Sequence, residues 1–275
     1  MYEKYLIIAS RKDLAGINIT TQLSQFRQNP VLSSIGGTSN FDFYLVEDEI
    51  LYTENLDMEK INKYDFVIFA SKHKSEKQEK TLSVHAPGNW RWAEFGGESE
   101  KVSRTSAFFQ KQIFEKLNQN CERYHLERYK ITLECTHHGP LINKPCIFIE
   151  IGSTETEWTD RKAGFVIAKT IKDMIQDFKT NPYNETAIGI GGPHYCPSFN
   201  KIQSNSNIAI SHIIPQYVLP LNEEMVREAI DKTDEEVDFA LLDWKGLGNV
   251  EQRQQVLDVL NKLYVRHKKT SEINK

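Results

Sequence analysis

The sequence predicts an α/β fold in which a mixed, largely parallel sheet has helices on both faces. Short apolar runs of strand length alternate with segments of helical period along the chain, which is typical of α/β proteins. The length of 275 residues and the hydrophobic fraction of 39% suit one large domain with a buried core. The chain contains no internal repeat and no long Pro- or Ser-rich linker. We therefore expect a single domain over residues 1–275.

The strands are predicted from apolar runs that end at Gly, Pro, Ser or charged residues. The run Ile147-Phe148-Ile149 is an example. In chain order, the predicted strands are 4–10, 42–46, 65–70, 80–84, 130–135, 146–151, 186–191, 208–213 and 238–242.

The helices are predicted from segments between those runs in which apolar residues recur at helical spacing. In the last segment, Val256, Leu257, Leu260 and Leu263 follow this pattern. In chain order, the predicted helices are 13–27, 104–128, 157–179, 222–231 and 250–267.

Two surface loops and a C-terminal tail complete the prediction. Segments 33–40 and 93–100 are rich in Gly and polar residues and are expected to be loops. The tail, about residues 265–275, is polar and is expected to fray, which leaves a core of about 1–263.

The composition argues against several classes of protein. Lys and Arg number 34 against 38 Asp and Glu, and the net charge of −4 argues against a purely electrostatic nucleic-acid binder. The four cysteines are too widely spaced for a CxxC metal knuckle or a dense disulfide framework, so we expect reduced thiols. No stretch approaches the ~20 apolar residues of a membrane span, and no signal-peptide pattern precedes the first strand. We expect a cytoplasmic protein without membrane association.

Polar side chains gather where the predicted strands end. In open α/β sheets, ligands bind outside the carboxyl ends of the strands, so such side chains are expected to share one site. Taken singly, each could instead be a hydrogen-bonded structural residue. Six of the eight histidines occupy such positions, namely His73, His85, His137, His138, His194 and His212.

The residue types at these positions suit a catalytic zinc ion. Imidazoles and carboxylates without clustered cysteines can provide about three ligands and leave one position for water. No HExxH pattern is present. Because adjacent residues of a strand point to opposite faces, we expect one of His137 and His138 to line the site and the other to support it from behind.

Two glutamates stand inside apolar strand segments. An unpaired carboxylate would be costly at Glu150, so it should meet a cation, a metal-bound histidine or a backbone donor. An ion pair with a nearby Lys or Arg is the alternative. Glu134 presents a weaker form of the same argument, and either residue could serve as a general base.

Glycine-rich loops follow two of the strands. Backbone amides near Gly88 and Gly191 could approach an oxyanion or a phosphate, or these loops could simply be tight turns. No P-loop and no GxGxxG motif is present, which disfavours nucleoside triphosphates and dinucleotides. A serine nucleophile elbow is also missing.

Seven ordered strings resemble the archaeal and plant type of D-aminoacyl-tRNA deacylase. They extend in the family's order over nearly the whole chain. The strings are Ser71-Lys72-His73-Lys74-Ser75, Leu82-Ser83-Val84-His85-Ala86-Pro87-Gly88-Asn89-Trp90, Thr136-His137-His138-Gly139-Pro140, Phe148-Ile149-Glu150-Ile151-Gly152-Ser153-Thr154-Glu155, Gly189-Ile190-Gly191-Gly192-Pro193-His194-Tyr195, His212-Ile213-Ile214-Pro215 and Asp243-Trp244-Lys245-Gly246-Leu247.

The resemblance implies a monomeric, zinc-dependent hydrolase that cleaves the ester between a D-amino acid and the terminal ribose of tRNA. It also implies a peptidyl-tRNA hydrolase-like or phosphorylase/hydrolase-like core with a smaller accessory lobe. Under this reading Zn²⁺ is the cofactor and the acceptor end of tRNA is the partner.

The resemblance and the residue pattern together suggest roles. The expected zinc ligands are among His85, His137, His138 and His194. The expected catalytic residues are His73, His85, Glu150 and His212. The expected substrate contacts are Lys72, Gly88, Asn89, Gly191, Tyr195 and Lys245, with Lys74, Arg104 and Lys111 as further candidates for phosphates.

Three other functions remain open at this point. Peptidyl-tRNA hydrolysis shares the fold and the tRNA end but requires a blocked amino group. A zinc amidohydrolase or nucleoside-processing enzyme would act on free small molecules. A non-catalytic RNA-binding module would leave the inward-facing histidines unexplained.

Overall fold

The strands form a six-stranded and a four-stranded sheet rather than one continuous sheet. The computed structural model describes residues 2–26, 40–53 and 56–273. The predicted loop 33–40 lies outside these residues except for Asn40. The strands are β1 (Tyr5–Ser10), β2 (Phe41–Val46), β3 (Phe66–Lys74), β4 (Thr81–His85), β5 (Lys130–Leu133), β6 (Cys146–Ser153), β7 (Glu185–Ile190), β8 (Ile208–Ile214), β9 (Phe239–Leu242) and β10 (His267–Lys269).

The helices fill the intervals between the strands. Their bounds are α1 (Leu14–Ser24), α2 (Met58–Ile61), α3 (Ala107–Arg123), α4 (Glu155–Trp158), α5 (Arg161–Asp177), α6 (Pro197–Asn205), α7 (Glu223–Asp231) and α8 (Val250–Lys262). Every predicted strand and helix has a counterpart, and the α/β class is confirmed. None of the described helices is both long and apolar enough to cross a membrane.

Strand direction differs within the larger sheet. Its order is β2-β1-β3-β6-β4-β5, and all neighbours are parallel except β4 and β6, which are antiparallel. The carboxyl ends of β4 and β5 therefore point away from those of the other four strands. The smaller sheet, β10-β9-β7-β8, is parallel throughout.

Two predicted elements need correction. As far as Ile273, where the description ends, the tail is held to the fold, because β10 pairs with β9 and Lys268 Nζ lies 2.6 Å from a carboxylate oxygen of Glu185. The predicted helix 157–179 is two helices, since Asp160 ends the first turn and its side chain accepts the amide of Lys162 to start α5.

Two helices were absent from the prediction. The sequence of α6 is mostly polar, and this helix starts at Pro197 after a left-handed Cys196 with a φ of 48°. Proline is favourable at a helix start because its missing N–H would be unpaired there in any case. The four-residue α2 is too short to show a helical period.

The two faces of the larger sheet have different chemistry. On β6, Ile147, Ile149 and Ile151 join the main apolar core with α1, α3 and α5. Successive residues of a strand alternate between faces, so Phe148 and Glu150 lie on the opposite face. There, Phe148 packs in a second apolar cluster, and Glu150 begins a polar region. This polar half of the face positions the candidate site.

Candidate active site

The candidate site lies on a face of the larger sheet rather than at one edge. Glu150 stands directly opposite Ser71 of β3 on one side and Ser83 of β4 on the other. His73 and His85 lie in opposite directions from Glu150, since β3 and β4 run in opposite senses. The side chains were expected to meet at one edge of the sheet, beyond the carboxyl ends of all the strands. That expectation was wrong, because β4 and β5 run in the reverse direction and the sequence does not reveal this reversal.

Glu134 is the centre of the polar cluster. It follows β5, its side chain is fully buried, and its amide donates to Val84 O of β4 at 3.1 Å. Oε2 lies 3.1 Å from His194 Nε2 and 3.5 Å from His137 Nε2. Oε1 lies 3.2 Å from His73 Nδ1 but makes no hydrogen bond of good geometry. One carboxylate thus contacts imidazoles from three separate segments.

Glu150 forms the second carboxylate centre. Its Oε1 accepts a hydrogen bond of 2.5 Å from the Ser71 hydroxyl. Its Oε2 lies 3.7 Å from His73 Nδ1 and 3.6 Å from His85 Nε2. The expected partner of this buried carboxylate is therefore histidine, and the alternative of a Lys or Arg ion pair is wrong.

Three imidazoles have one ring nitrogen tied to the backbone. Nδ1 of His85, His137 and His138 contacts a carbonyl oxygen at 3.2, 2.8 and 2.8 Å. A carbonyl only accepts, so Nδ1 carries the proton and Nε2 of each neutral ring keeps its lone pair. This tautomer is the one that metal-binding histidines commonly adopt.

Both residues of the His137–His138 pair face the site. The φ of His138 is 45°, in the left-handed region, and this turn brings the two rings to a centroid distance of 4.2 Å. Each ring also contacts His85, at centroid distances of 4.3 and 4.9 Å. The expectation that one of the pair supports the other from behind is wrong, because the backbone does not continue as a strand there. Left-handed non-glycine residues cluster at functional sites.

The histidines divide into two electrostatic groups. Burial and neighbouring imidazoles lower the pKa of His137 well below its usual value and that of His138 to about 4. Burial would also lower the pKa of His73 and His194, but carboxylate contacts outweigh it. The Glu134 carboxylate raises the pKa of His73 to about 12, and hydrogen bonds to Cys135 and Glu134 raise the pKa of His194 to about 10.

The charges of the site are balanced by this division. Burial would raise the pKa of Glu134, but the contacts with His73 and His194 hold it well below its usual value. At neutral pH, two protonated histidines thus face the two carboxylates Glu134 and Glu150. His137 and His138, whose pKa values are lowered, are neutral at that pH and can offer a lone pair to a cation.

The donor set fits a metal ion such as zinc. Nitrogens of His85, His137 and His138 lie within 4.8 Å of one another, and so do ligand atoms of His73, Glu134 and His194. His85 Nε2 is buried without a hydrogen-bond partner among the described residues, which is costly unless something else binds it. Neutral imidazole and carboxylate are suitable zinc ligands.

His212 is not part of the cluster. Its Nδ1 lies 3.1 Å from the Thr136 hydroxyl, and its ring packs edge-on against Trp90. It is completely buried, and Nε2 has no hydrogen-bond partner in the part of the chain that the structure describes. The structure gives no support to a role for His212 at the scissile ester, because it fastens β8 to the segment before His137 instead.

Replacing His212 with alanine is expected to destabilise the fold and leave the chemistry intact. Burial lowers the pKa of His212 to about 3, from an ordinary value of 6.5. The unfolded chain therefore binds the proton first as the pH falls below 6.5, and wild-type stability decreases by up to about 1.4 kcal/mol per pH unit from this group. The His212→Ala variant lacks this pH-dependent decrease in stability, because it has no imidazole at this position.

We expect the His212→Ala variant to lose about 2–4 kcal/mol of unfolding free energy at pH 7.5 through the cavity it leaves. At pH 5, the difference in unfolding free energy between the variant and wild type should be smaller by about 2 kcal/mol. Urea unfolding at the two pH values measures both quantities. A pH-independent gap, or a large loss of kcat at a temperature where the variant is folded, would contradict the assignment.

The predicted substrate contacts fall into two groups. Tyr195 Oη lies 2.8 Å from His73 Nε2 and so borders the cluster. Lys72 stands opposite Ile151 on the other face of the sheet, where its Nζ pairs with Glu49 at 2.9 Å and lies above the ring of Trp158. Asn89 is buried and donates to Gly96 O, which makes it a loop-holding residue.

The glycine amides have partners already. Gly88 N donates to His138 O at 2.7 Å, and Gly191 N donates to Ile214 O at 2.8 Å. These bonds favour the tight-turn alternative. The carbonyl that Gly88 holds belongs to the histidine pair, so this loop orients the imidazoles.

The basic candidates also differ in availability. Lys111 is completely buried on α3 and pairs with Glu115, so its assignment to phosphates is wrong. Arg104 is paired with Asp234 at 2.7 Å. Lys74 and Lys245 are exposed.

Three contributors were missed or undervalued in the sequence. Cys135 Sγ lies 3.5 Å from His194 Nδ1 and 3.0 Å from Tyr217 Oη, and Ser71 holds Glu150. Cys135 and Ser71 each precede a histidine by two residues, as in Cys135-Thr136-His137 and Ser71-Lys72-His73. The period of two that places strand residues on one face was the available signal for Ser71.

Comparison with known proteins agrees with these strings. A family model described as D-aminoacyl-tRNA deacylase matches residues 60–268. A protein named D-aminoacyl-tRNA deacylase from Thermococcus onnurineus is 35% identical, over 88% of this chain and 91% of that one. One of the same name from Methanocaldococcus jannaschii is 32% identical, over 92% and 94%.

A solved structure has a similar fold. The crystal structure of a conserved protein of unknown function superposes with a TM-score of 0.86. The two chains are 28% identical, and the match covers 98% of this chain and 96% of the other. The arrangement of the two sheets is therefore shared with an experimentally determined structure.

Proposed function

Since the chain belongs to the D-aminoacyl-tRNA deacylase family, we propose that its histidine–glutamate cluster is the site that hydrolyses the ester between a D-amino acid and the 3′-terminal ribose of tRNA. The products are the free D-amino acid and tRNA. The observation that carries the proposal is the contact of one buried carboxylate, Glu134, with His73, His137 and His194.

Ester hydrolysis requires three catalytic contributions from the protein. A water must lose a proton as it attacks, the carbonyl oxygen must be stabilised as it becomes an oxyanion, and the ribose oxygen must gain a proton as it leaves. The cluster contains a group in the required protonation state for each of these three contributions.

Tyr195 is suited to stabilise the oxyanion. A protonated His73 has two N–H groups, and Nε2–H donates to Tyr195 Oη at 2.8 Å. The tyrosine oxygen is then an acceptor, and its own proton can point away from His73 towards a bound ester. Because His73⁺ polarises it, the hydroxyl becomes a stronger donor to a developing negative charge.

His194 is suited to protonate the leaving ribose oxygen. Its side chain is 33% exposed, more than those of His73, His85 and His137, and its raised pKa keeps it protonated at neutral pH. The Glu134 carboxylate, 3.1 Å away, stabilises that proton until the ribose oxygen takes it.

Glu150 is suited to accept the proton of the attacking water. The Ser71 hydroxyl fixes one carboxylate oxygen, and the other stands more than 3.5 Å from both histidine neighbours. A zinc ion held by His85, His137 and His138 would lower the pKa of a bound water to roughly 7. Carboxylate and imidazole groups close to such a site orient the ligands as well as the substrate.

The proposal extends to the reaction class, the oligomeric state and the cellular location of the protein. We infer a carboxylic-ester hydrolase that works as a monomer, as the resemblance to the family implies. A charged-tRNA substrate supports the proposal of a cytoplasmic location. The likeness of the core to peptidyl-tRNA hydrolase stays a prediction.

Matched substrates test the function directly. We expect the protein to hydrolyse D-tyrosyl-tRNA faster than L-tyrosyl-tRNA by about 10²-fold or more, in terms of kcat/KM. Release of radiolabelled tyrosine from the two substrates measures this ratio. Hydrolysis of N-acetyl-tyrosyl-tRNA alone would instead identify a peptidyl-tRNA hydrolase, and hydrolysis of neither substrate would contradict the proposal.

A further inference from the structure

Four exposed aromatic side chains belong to segments that meet beside the histidines. Tyr52, Trp92, Phe95 and Tyr217 have exposed fractions of 51, 78, 55 and 59%. Large exposed aromatics are costly in water, and a group of them marks a binding surface. We call these four residues the aromatic rim.

The first side of the rim borders His138. Phe95 O accepts the amide of Gly139 at 2.9 Å, and Gly139 O accepts from His138 Nδ1 at 2.8 Å. The same loop touches the segment of Tyr52, because a Cβ on Gly96 would lie 1.5 Å from Leu51 O. Tyr52, Phe95 and Trp92 are therefore carried by chain that packs directly on the histidine pair.

The second side of the rim borders His194. Tyr217 Oη lies 3.0 Å from Cys135 Sγ, which lies 3.5 Å from His194 Nδ1. The two sides are joined by Arg91, whose guanidinium donates to Val218 O at 2.8 Å and to Pro220 O at 2.7 Å. The rim thus extends across the cluster from His138 to His194.

We propose that the aromatic rim stacks the unpaired nucleotides that precede the terminal ribose of tRNA. This inference rests on the proposed function, which places the ester of that ribose among the histidines. The neighbouring bases are single-stranded and must then lie within one or two nucleotide lengths of the cluster. Aromatic side chains bind such bases through their π-faces without sequence preference.

On the side of Trp92, the charges near the rim favour base stacking over phosphate contacts. The loop beside Trp92 carries exposed acids at Glu94, Glu98 and Glu100, which repel phosphates. A basic residue is available on the other side, where the exposed Lys245 precedes Gly246. A Cβ on that glycine would lie 3.0 Å from Gln216 Oε1, so the backbone next to Lys245 is close in space to the segment that carries Tyr217.

Kinetics on long and short substrates test the proposal. We expect Trp92→Ala and Phe95→Ala each to raise the KM for D-tyrosyl-tRNA by about 5- to 150-fold, with kcat nearly unchanged. Hydrolysis of D-tyrosyl-adenosine, which lacks the preceding nucleotides, should match wild type. Tyr264→Ala is the matched control, since Tyr264 is 94% exposed and lies after α8.

A binding measurement separates the rim from the chemistry. Uncharged tRNA with an intact 3′ end should compete better against substrate than tRNA trimmed of its unpaired 3′ nucleotides. Trp92→Ala should abolish that difference, and Tyr264→Ala should preserve it.

Two outcomes would overturn the inference while the function stands. The first is that Trp92→Ala and Phe95→Ala remain active and have the same KM for D-tyrosyl-tRNA as Tyr264→Ala. The other is a concentration-dependent dimer in sedimentation that Trp92→Ala abolishes, which would make the rim a contact between two copies of the chain. A wild-type protein that hydrolyses neither the tRNA substrate nor the adenosine ester would instead refute the function itself.

Discussion

Replacing Glu134 with glutamine is expected to lower kcat/KM for D-tyrosyl-tRNA by about 10²- to 10⁴-fold. Glutamine preserves the shape of the side chain but removes the negative charge that faces His73 and His194 at 3.2 and 3.1 Å. Without it, burial weighs more heavily against the charged form, and the pKa of both histidines falls. The Tyr195 hydroxyl then loses its polarising partner.

The control for Glu134→Gln removes a partly buried carboxylate elsewhere. Glu235 accepts from the amides of Ala107 and Phe108 at the start of α3 and has no contact with the cluster. Glu235→Gln should lower thermal stability and leave kcat/KM unchanged for the folded protein. Steady-state kinetics over pH 5–9 distinguish the two variants. A Glu134→Gln enzyme within a few-fold of wild type, with the same pH profile, would remove Glu134 from the mechanism.

Removing metal from the protein is expected to abolish hydrolysis, and adding zinc is expected to restore it. His85, His137 and His138 have ring nitrogens within 4.8 Å of one another, and a chelator would leave them without a cation. Zinc that binds only the folded protein should also stabilise it, by about 2.7 kcal/mol at a free concentration of 100 times its Kd. Thermal unfolding with and without zinc gives a readout that is independent of turnover.

Single substitutions locate the metal. His85→Ala removes a ligand whose ring is completely buried and should abolish both the zinc-dependent stabilisation and the turnover. His125→Ala is the matched control, because the side chain of His125 is 85% exposed and lies outside the cluster. Full activity of thoroughly demetallated protein, or an unchanged zinc effect in His85→Ala, would exclude the proposed ligand set.

The fold was largely predictable because its signals are local. Each predicted strand rests on an apolar run, and runs such as Ile147–Ile151 are buried on β6. Strand direction and sheet membership are not local properties. The reversal of β4 and the separation of β7–β10 into a second sheet depend on long-range pairing, which the apolar pattern does not encode.

The site was predictable in composition and less so in geometry. Five of the six strand-end histidines do meet, but the sixth, His212, lies in the same kind of position and turns inward to Thr136. Sequence position could not separate them, because the face of a strand-end residue depends on register and on the turn that follows. The same reason explains His138, whose left-handed φ of 45° brings it beside His137.

The origin of His194 has a consequence for how the molecule is made. Glu134 and His73 belong to the larger sheet, whereas His194 follows β7 of the smaller one. A chain that stops before β7 can fold no complete set of imidazoles around Glu134, however well its first sheet forms. A nascent or truncated chain would therefore lack the proton donor assigned to the leaving ribose. Hydrolytic competence should appear only after the second half of the polypeptide has been synthesised and docked.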